Sequence, residues 1–461
     1  MTMTEAFLDL CTRCAPAFSQ DRTARRATRM MLSAVLCAGR KWVTRLLCVQ
    51  GREQRDWSAD YKLFSRAKWE AQQLFEPAVA ESLKYFGDGP IRLAGDETRT
   101  RRGGRKVARS RWTRDPMSPP FHVNFIKGIR WVQFSALLPL HKTDNVSARG
   151  VPVSFEPVDL PAKPRRNATA EQRAEYERAK KRNNMCEKTL KQIRQLREMY
   201  DRAGAAGRNL LVSLDGGFFN KTMFRAILER IVLIVRGRKD AALCHPANDP
   251  DHPRKVYADE KFTPEQVRRD ESVPWRTEHV YHGGAWRQIR YKEVRNVLWQ
   301  RGAKRKPLRL FVVAPTPYRL SPGMPVYYRQ PAYLFVTDHQ TDAATVLQCY
   351  FDRWQIEVNH RDEKQHIGVT DAQVWNEQAV DRLPALMVAA YSFLLLGALN
   401  AYGPLRTQHF MQPPMWQRRQ QKRPSCLDLI AKLREEASSQ HEIQSTVDFR
   451  VDLRHILLRA A

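Results

Sequence analysis

An α/β fold follows from three features of this 461-residue sequence. The run Asn209-Leu-Leu-Val-Ser-Leu-Asp215 is almost continuously apolar and short, the pattern of a strand covered on both faces. Ile91-Arg-Leu-Ala-Gly-Asp96 is a second strand-like run, and both end on an aspartate. From Leu347 to Lys364 the period changes to that of a helix, with Leu347, Phe351, Trp354 and Val358 spaced as a core-facing seam. Strands that end on carboxylates and share a domain with helices are the usual setting of a site at the C-terminal rim of an open sheet.

The elements divide the chain into five stretches. Residues 1–85 read as helices: Arg22 to Leu47 alternates basic and apolar residues, and Ser58 is positioned to cap the helix that carries Arg66 and Lys68. Such a unit suits a small DNA-binding domain or a helical scaffold packed on the neighbouring domain. Residues 86–238 hold the two aspartate-ending strands, further strands at Phe121–Ile126 and Trp131–Pro139, a charged helical stretch over 162–203, and a helix opened by Asn220 and running to Val235.

Between Asp215 and Glu357 lie about 140 residues, too many for a structureless loop. Residues 239–330 therefore form a mostly β insertion. Within it Glu278–His282 and Ala285–Tyr291 make a hairpin turned by Gly283-Gly284, and Leu308–Ala314 is a further strand. Trp275, Trp286 and Trp299 are interleaved with arginines there, as in surfaces that stack a base and hold its phosphates, although tryptophans also build cores. The strand Tyr333–Asp338 opens the fourth stretch, residues 331–403, and leads into the Glu357 helix. The apolar run Ala385–Tyr402, bounded by Pro384 and diluted by Ser392, Gly397 and Asn400, reads as a buried core helix rather than a membrane span. Residues 404–461 read as a helical tail suited to dimerisation.

Composition narrows the function. Lys and Arg number 78 against 49 Asp and Glu, a formal net charge of +29, which favours a polyanionic partner, DNA or RNA. The N-terminus opens Met-Thr-Met-Thr-Glu-Ala-Phe with no basic leader before an apolar run, so no cleavable signal is expected. Eight scattered cysteines suit a reducing cytosol, and Cys11-x-x-Cys14 has no second pair at zinc spacing.

The chemistry gathers on Tyr350, Arg353, Glu357 and Lys364, at offsets of 3, 7 and 14 from the tyrosine. On one helix these fall within a stripe of about 60°. A carboxylate among phosphate-binding groups suits phosphodiester chemistry. Together with Asp96 (Glu97 is the adjacent alternative) and Asp215, Glu357 completes three carboxylates from distant parts of the chain. Such oxygen donors suit Mg²⁺, with Mn²⁺ as a substitute, in a two-metal in-line displacement. Arg353 offers a bidentate fork to phosphate and Lys364 a point charge.

Tyr350-x2-Arg353-x3-Glu357-x6-Lys364 resembles the Tyr-Arg-Glu-Lys signature of bacterial cut-and-paste insertion-sequence transposases of the DDE type. Asp96-Glu-Thr resembles that group's Asp-Asp-Thr, and Leu214-Asp215-Gly-Gly its second aspartate; the β insertion before the glutamate is also typical. The resemblance covers about residues 85–400. It implies a ribonuclease H-like catalytic domain and a Mg²⁺-dependent transposase that frees 3′-hydroxyls at the ends of its element and joins them to target DNA. It further implies that Tyr350, Arg353 and Lys364 contact end DNA and that an aromatic of the insertion, Trp286 or Trp299, supports a flipped base. It also implies a homodimer in the synaptic complex, working on double-stranded DNA in the bacterial nucleoid. Two other readings fit the same charge: a catalytically silent repressor derived from a transposase, and a ribonuclease H-like recombination nuclease.

Overall fold

The computed structural model describes residues 1–439 except 116, 117, 120, 249, 250, 321, 322, 413 and 416–421. The predicted tail therefore lies partly outside the described residues. Five helices open the chain: α1 (Met3–Thr12), α2 (Asp21–Leu36), α3 (Val43–Val49), α4 (Ser58–Ser65) and α5 (Glu76–Ser82). Ser58 is the first residue of α4 rather than its cap, and its N–H donates to Asp56 Oδ1 at 2.9 Å.

The strands come next as β1 (Ile91–Arg101), β2 (Arg111–Arg114), β3 (Phe125–Leu138) and β4 (Arg149–Pro157), then α6 (Ala170–Arg182) and α7 (Met185–Tyr200). After these stand β5 (Leu210–Leu214), the short α8 (Lys221–Arg225) and β6 (Ile231–Arg236). The predicted helix from Asn220 to Val235 is thus corrected. Asn220 caps a five-residue helix, and the apolar run after it is a buried strand, a case that periodicity alone cannot separate from a buried helix.

β3 runs antiparallel to β1 and β4, whereas β5 is parallel to both β1 and β6. This order and these directions are compatible with a ribonuclease H-like domain. Its core is built from residues such as Trp131, stacked on Phe155 at 4.4 Å, and the fully buried faces of β5.

The strands of residues 239–330 do not form a sheet of their own. β7 (Leu243–Pro246), β8 (Tyr257–Phe262), β9 (Arg276–His282), β10 (Ala285–Leu298) and β11 (Pro307–Val313), with α9 (Pro264–Arg269) between β8 and β9, extend the central sheet. The joint is β14 (Ala332–Val336), antiparallel to β6 on one side and to β11 on the other. Only the two-residue strands β12 (Pro317–Tyr318) and β13 (Tyr327–Tyr328) pair apart, so the main sheet has twelve strands among the described residues. The expected β9–β10 hairpin is present, with Gly283 and Gly284 at φ +63° and +82°, a backbone that side-chain-bearing residues rarely adopt.

Two helices, α10 (Ala343–Asp352) and α11 (Trp354–Gln365), replace the single helix expected over Leu347–Lys364. They meet at Arg353, whose dihedrals stay helical (φ −50°, ψ −31°). The expected apolar seam holds only in α10, where Leu347 is buried and Phe351 packs against the core. Trp354 is 52% exposed, and the buried residues of α11 are Ile356, Asn359, His360, Asp362 and Glu363, mostly polar. α12 (Glu377–Tyr402) includes Pro384 instead of starting after it. Its most apolar window is 94% buried, packed against α1, α2, α4, α5 and β4, which makes it the core helix of the chain. The N-terminal helices therefore share one hydrophobic core with α12, as does α13 (Cys426–Ser439).

Candidate active site

Asp96 lies in the middle of β1, not at the end of a strand as expected. The parallel pairing of β1 with β5 stops at Gly95 and Leu214, so Asp96 and Asp215 are the next residues on neighbouring strands, about 5 Å apart at the backbone. Asp215 leaves the sheet there, and its Oδ1 accepts the Gly217 N–H at 2.8 Å. Glu97 is engaged elsewhere, in ion pairs with Arg130 and Arg99, which leaves Asp96 facing the helices.

Those helices bring the third carboxylate. Arg353 Nη1 lies 3.2 Å from Asp96 Oδ2 and Nη2 lies 3.1 Å from Glu357 Oε1, so one guanidinium bridges the strand and the helix. Burial, then the charge of Asp215, pushes the Asp96 carboxyl up to about 7; Arg353 opposes the shift and Glu357 adds to it. The Lys364 ammonium is lowered by burial, with Glu363 and Asp96 acting the other way, which places it in the same field. Tyr350 lines a small cleft of about 70 Å³ with Arg353, Trp354, His282 and Arg329. The structure thus places Arg353 against Asp96 and Glu357, with Lys364 in the field of Asp96 and Asp215 just past the end of the adjoining strand.

A buried polar network sets the position of α11. Asn359 Nδ2 donates to the Gly150 carbonyl at 2.9 Å, while its Oδ1 accepts from Ser135 Oγ at 2.9 Å. Gln133 Nε2 donates to Glu363 Oε1 at 2.7 Å, and Tyr391 Oη donates to Asp362 Oδ2 at 3.0 Å. The close approach depends on Gly150. A Cβ there would meet Asn359 Oδ1 at 2.6 Å and Gln355 Cβ at 3.0 Å. α10 is fixed from the other side: Gln348 exchanges hydrogen bonds with the Tyr281 backbone of β9, at 2.9 and 3.1 Å. None of these partners is signalled in sequence, because each is distant along the chain.

The aromatic candidates part company. Trp299 is buried and stacks on Phe219 at 4.1 Å, almost parallel; it belongs to the core, and a base cannot reach its face. Trp286 is half-exposed, with edge contacts to His141 and Tyr281. Trp354, which sequence reasoning assigned to the core, is an exposed ring beside Arg353, with the Arg329 guanidinium 6.0 Å from its centroid and 5.6 Å from that of Tyr318. The sequence gives no hint of this ladder beyond the spacing of Trp354 from Arg353.

Three carboxylates offer only oxygen donors, which suits a hard divalent cation. Burial is the chief cause of the raised Asp96 carboxyl, and the charges of Asp215 and Glu357 add to it, a part that such a cation would relieve. As arranged here, Arg353 supplies the positive charge. Among the described residues no three His, Cys, Asp or Glu side chains are gathered so that they could hold a metal ion. Cys11 and Cys14 are both buried free thiols, each shifted up chiefly by burial. A sequence model of the family described as DDE superfamily endonuclease matches residues 14–306, a span that contains Asp96 and Asp215. No curated protein matches the chain.

Proposed function

The chain belongs to the DDE superfamily of endonucleases, and from that premise we propose that it is a DNA transposase. It nicks the ends of its mobile element and joins the freed 3′-hydroxyls to target DNA by two-metal phosphoryl transfer. The observation that carries the reading is the Arg353 guanidinium held between Asp96 and Glu357, with Asp215 just past the end of the next strand.

Asp96, Asp215 and Glu357 are not gathered into a metal site while Arg353 bridges two of them. Once it turns to phosphate they would hold Mg²⁺, or Mn²⁺ in its place, and the ions would supply charge stabilisation to an in-line displacement at phosphorus. The chain's own groups do the rest. Arg353 forks onto phosphate oxygens when DNA enters, exchanging carboxylates for a ligand of like charge and geometry. Lys364 adds a point charge from the same face, and Tyr350 contacts the backbone at the cleft beside Arg353. Trp286 remains a candidate platform for an unstacked base. The Trp354–Arg329–Tyr318 ladder is a second candidate, because Trp354 and Arg329 line the same cleft as Arg353. The helices of residues 1–85 supply further DNA contacts, and the chain works as a synaptic homodimer.

The test is a labelled duplex carrying the repeats that flank the gene, incubated with Mg²⁺ and either the wild-type protein or E357Q. Metal-dependent nicking at the repeat boundary, lost in E357Q while DNA binding persists, is the expected result. Specific binding by the wild type without nicking under Mg²⁺ or Mn²⁺ would instead identify a silent end-binding protein.

A further inference from the structure

A second basic and aromatic cleft lies away from the carboxylates. Three segments wall it: the α2–α3 connection with Arg40 and Trp42, the end of β1 with Arg101 and Arg102, and the α11–α12 loop with Asp371 and Trp375. Its volume is about 460 Å³.

The α11–α12 loop is held rigidly. The Arg102 guanidinium donates to the carbonyls of Thr370 at 2.7 Å, of Val369 at 3.1 Å and of Ala372. The Lys41 N–H donates to Asp371 Oδ2 at 3.1 Å, and the Ala108 N–H donates to the Trp375 carbonyl at 2.9 Å. Yet the tryptophan that this loop presents is 63% exposed. A large aromatic left in water on an ordered loop is a preformed contact surface, because the entropy of fixing it has already been spent in folding.

Its surroundings define the partner. The Arg40 guanidinium sits 5.8 Å from the Trp42 ring centroid, so cation and ring already share one surface. Arg101 is largely exposed, its nearest acid being Asp115 at 3.7 Å. Three arginines against Asp371 make the lining positive. Alternating arginines and flat rings fit a polyanion whose bases are free to stack. A space of this size takes a ligand on the order of a nucleotide or two, far less than a duplex.

We propose that this cleft takes an unpaired stretch of DNA strand, with a base lying on Trp375 while Arg40 and Arg101 hold its phosphates. β1 fixes the spacing from the candidate active site: Arg101 lies five residue steps beyond Asp96, about 16 Å of extended strand. A few nucleotides of unpaired strand cover that distance. The inference rests on the reading that this chain acts on DNA, and it names where an unpaired strand is held.

The full-length protein is titrated, in EDTA so that no cleavage intrudes, with a fluorescein-labelled oligothymidine and separately with a blunt duplex of equal length. W375A is expected to lose about five- to tenfold in single-strand affinity while duplex affinity stays within about twofold. W375F retains most of the binding. R40A weakens the single strand and makes its salt dependence shallower. Thermal melting checks that each variant folds, and W375F keeps the test decisive should W375A melt early. Unchanged single-strand affinity in W375A, or equal loss on both substrates, overturns the inference; equal loss on both points to general damage or to a protein partner for the cleft. Failure here is distinct from failure of the transposase reading, which is scored by metal-dependent nicking with the same preparations.

Discussion

The Arg353 guanidinium lies 3.2 Å from the Asp96 carboxylate although the two residues are 257 positions apart. Its second nitrogen holds Glu357, one helical turn further on. A single fixed cation thus pairs with two of the three carboxylates in a mostly buried place, where charge interactions are strong.

Removing that cation should leave the carboxylates hungry for another. R353A is expected to bind Mn²⁺ several-fold more tightly than the wild type without DNA, as read by the free-ion electron paramagnetic resonance signal. The same variant should hold end DNA more weakly. Equal Mn²⁺ affinity in the two proteins would show that the guanidinium does not compete with a divalent ion.

Glu363 gives a pH signature. Burial pushes its carboxyl up to about 8, and it faces Gln133, whose Oε1 has no other partner. A native value raised above the unfolded one of about 4.3 stabilises the fold fully below that pH, and the contribution is lost as pH rises through about 8. E363Q cannot ionise, and its amide can donate to Gln133 Oε1. Its stability relative to wild type should therefore grow across that window and level off above it, by ~1–4 kcal/mol. Urea melts at mildly acidic, neutral and mildly alkaline pH give the comparison, and parallel curves would mean that Glu363 does not titrate in that range.

Gly150 tests the seating of α11. G150A drives a methyl group into Asn359 and Gln355, costing ~1–3 kcal/mol and tilting the helix that carries Glu357. Nicking should fall further than the loss of folded protein accounts for. Wild-type turnover per folded molecule in G150A would mean that the helix tolerates the shift.

The two tryptophans should separate cleanly in melting experiments. W299A empties a stack shared with Phe219, Phe224 and Phe335 and should cost ~3–5 kcal/mol. W286A, at a half-exposed ring, should change stability by under ~1 kcal/mol. A fall in W286A as large as that in W299A would show that its contacts with Tyr281 and His141 are structural.

What could be read from the sequence depended on whether the signal was local. β5 was legible because a strand covered on both faces is apolar throughout, and the β9–β10 hairpin because Gly283-Gly284 marks its turn. α12 was legible as a core helix, but its start was not, since Pro384 reads as a boundary and is in fact an interior residue. β1 was cut short at Asp96 because Glu97, Arg99 and Arg101 look like a polar loop, while ion pairs and the β3 register keep them in the strand. The polar buried face of α11 ran against periodicity altogether. Asn359, Asp362 and Glu363 are inside because Ser135, Tyr391 and Gln133 meet them there. At the candidate site, the residue types and helical spacing were readable; the Arg353 bridge and the exposure of Trp354 were not, because each depends on a partner from another element.

The seating of β14 between β6 and β11 has a consequence for synthesis on the ribosome. Until residue 336 has emerged, β6 and β11 each present an unpaired edge, and neither Arg353 nor Glu357 yet exists. A prematurely ended chain would therefore carry two of the three acids and no means of cutting DNA. Its open edges would favour aggregation and clearance. On the proposed reading, chain completion would itself be the licensing step, because only a protein translated past Glu357 would carry all three acids.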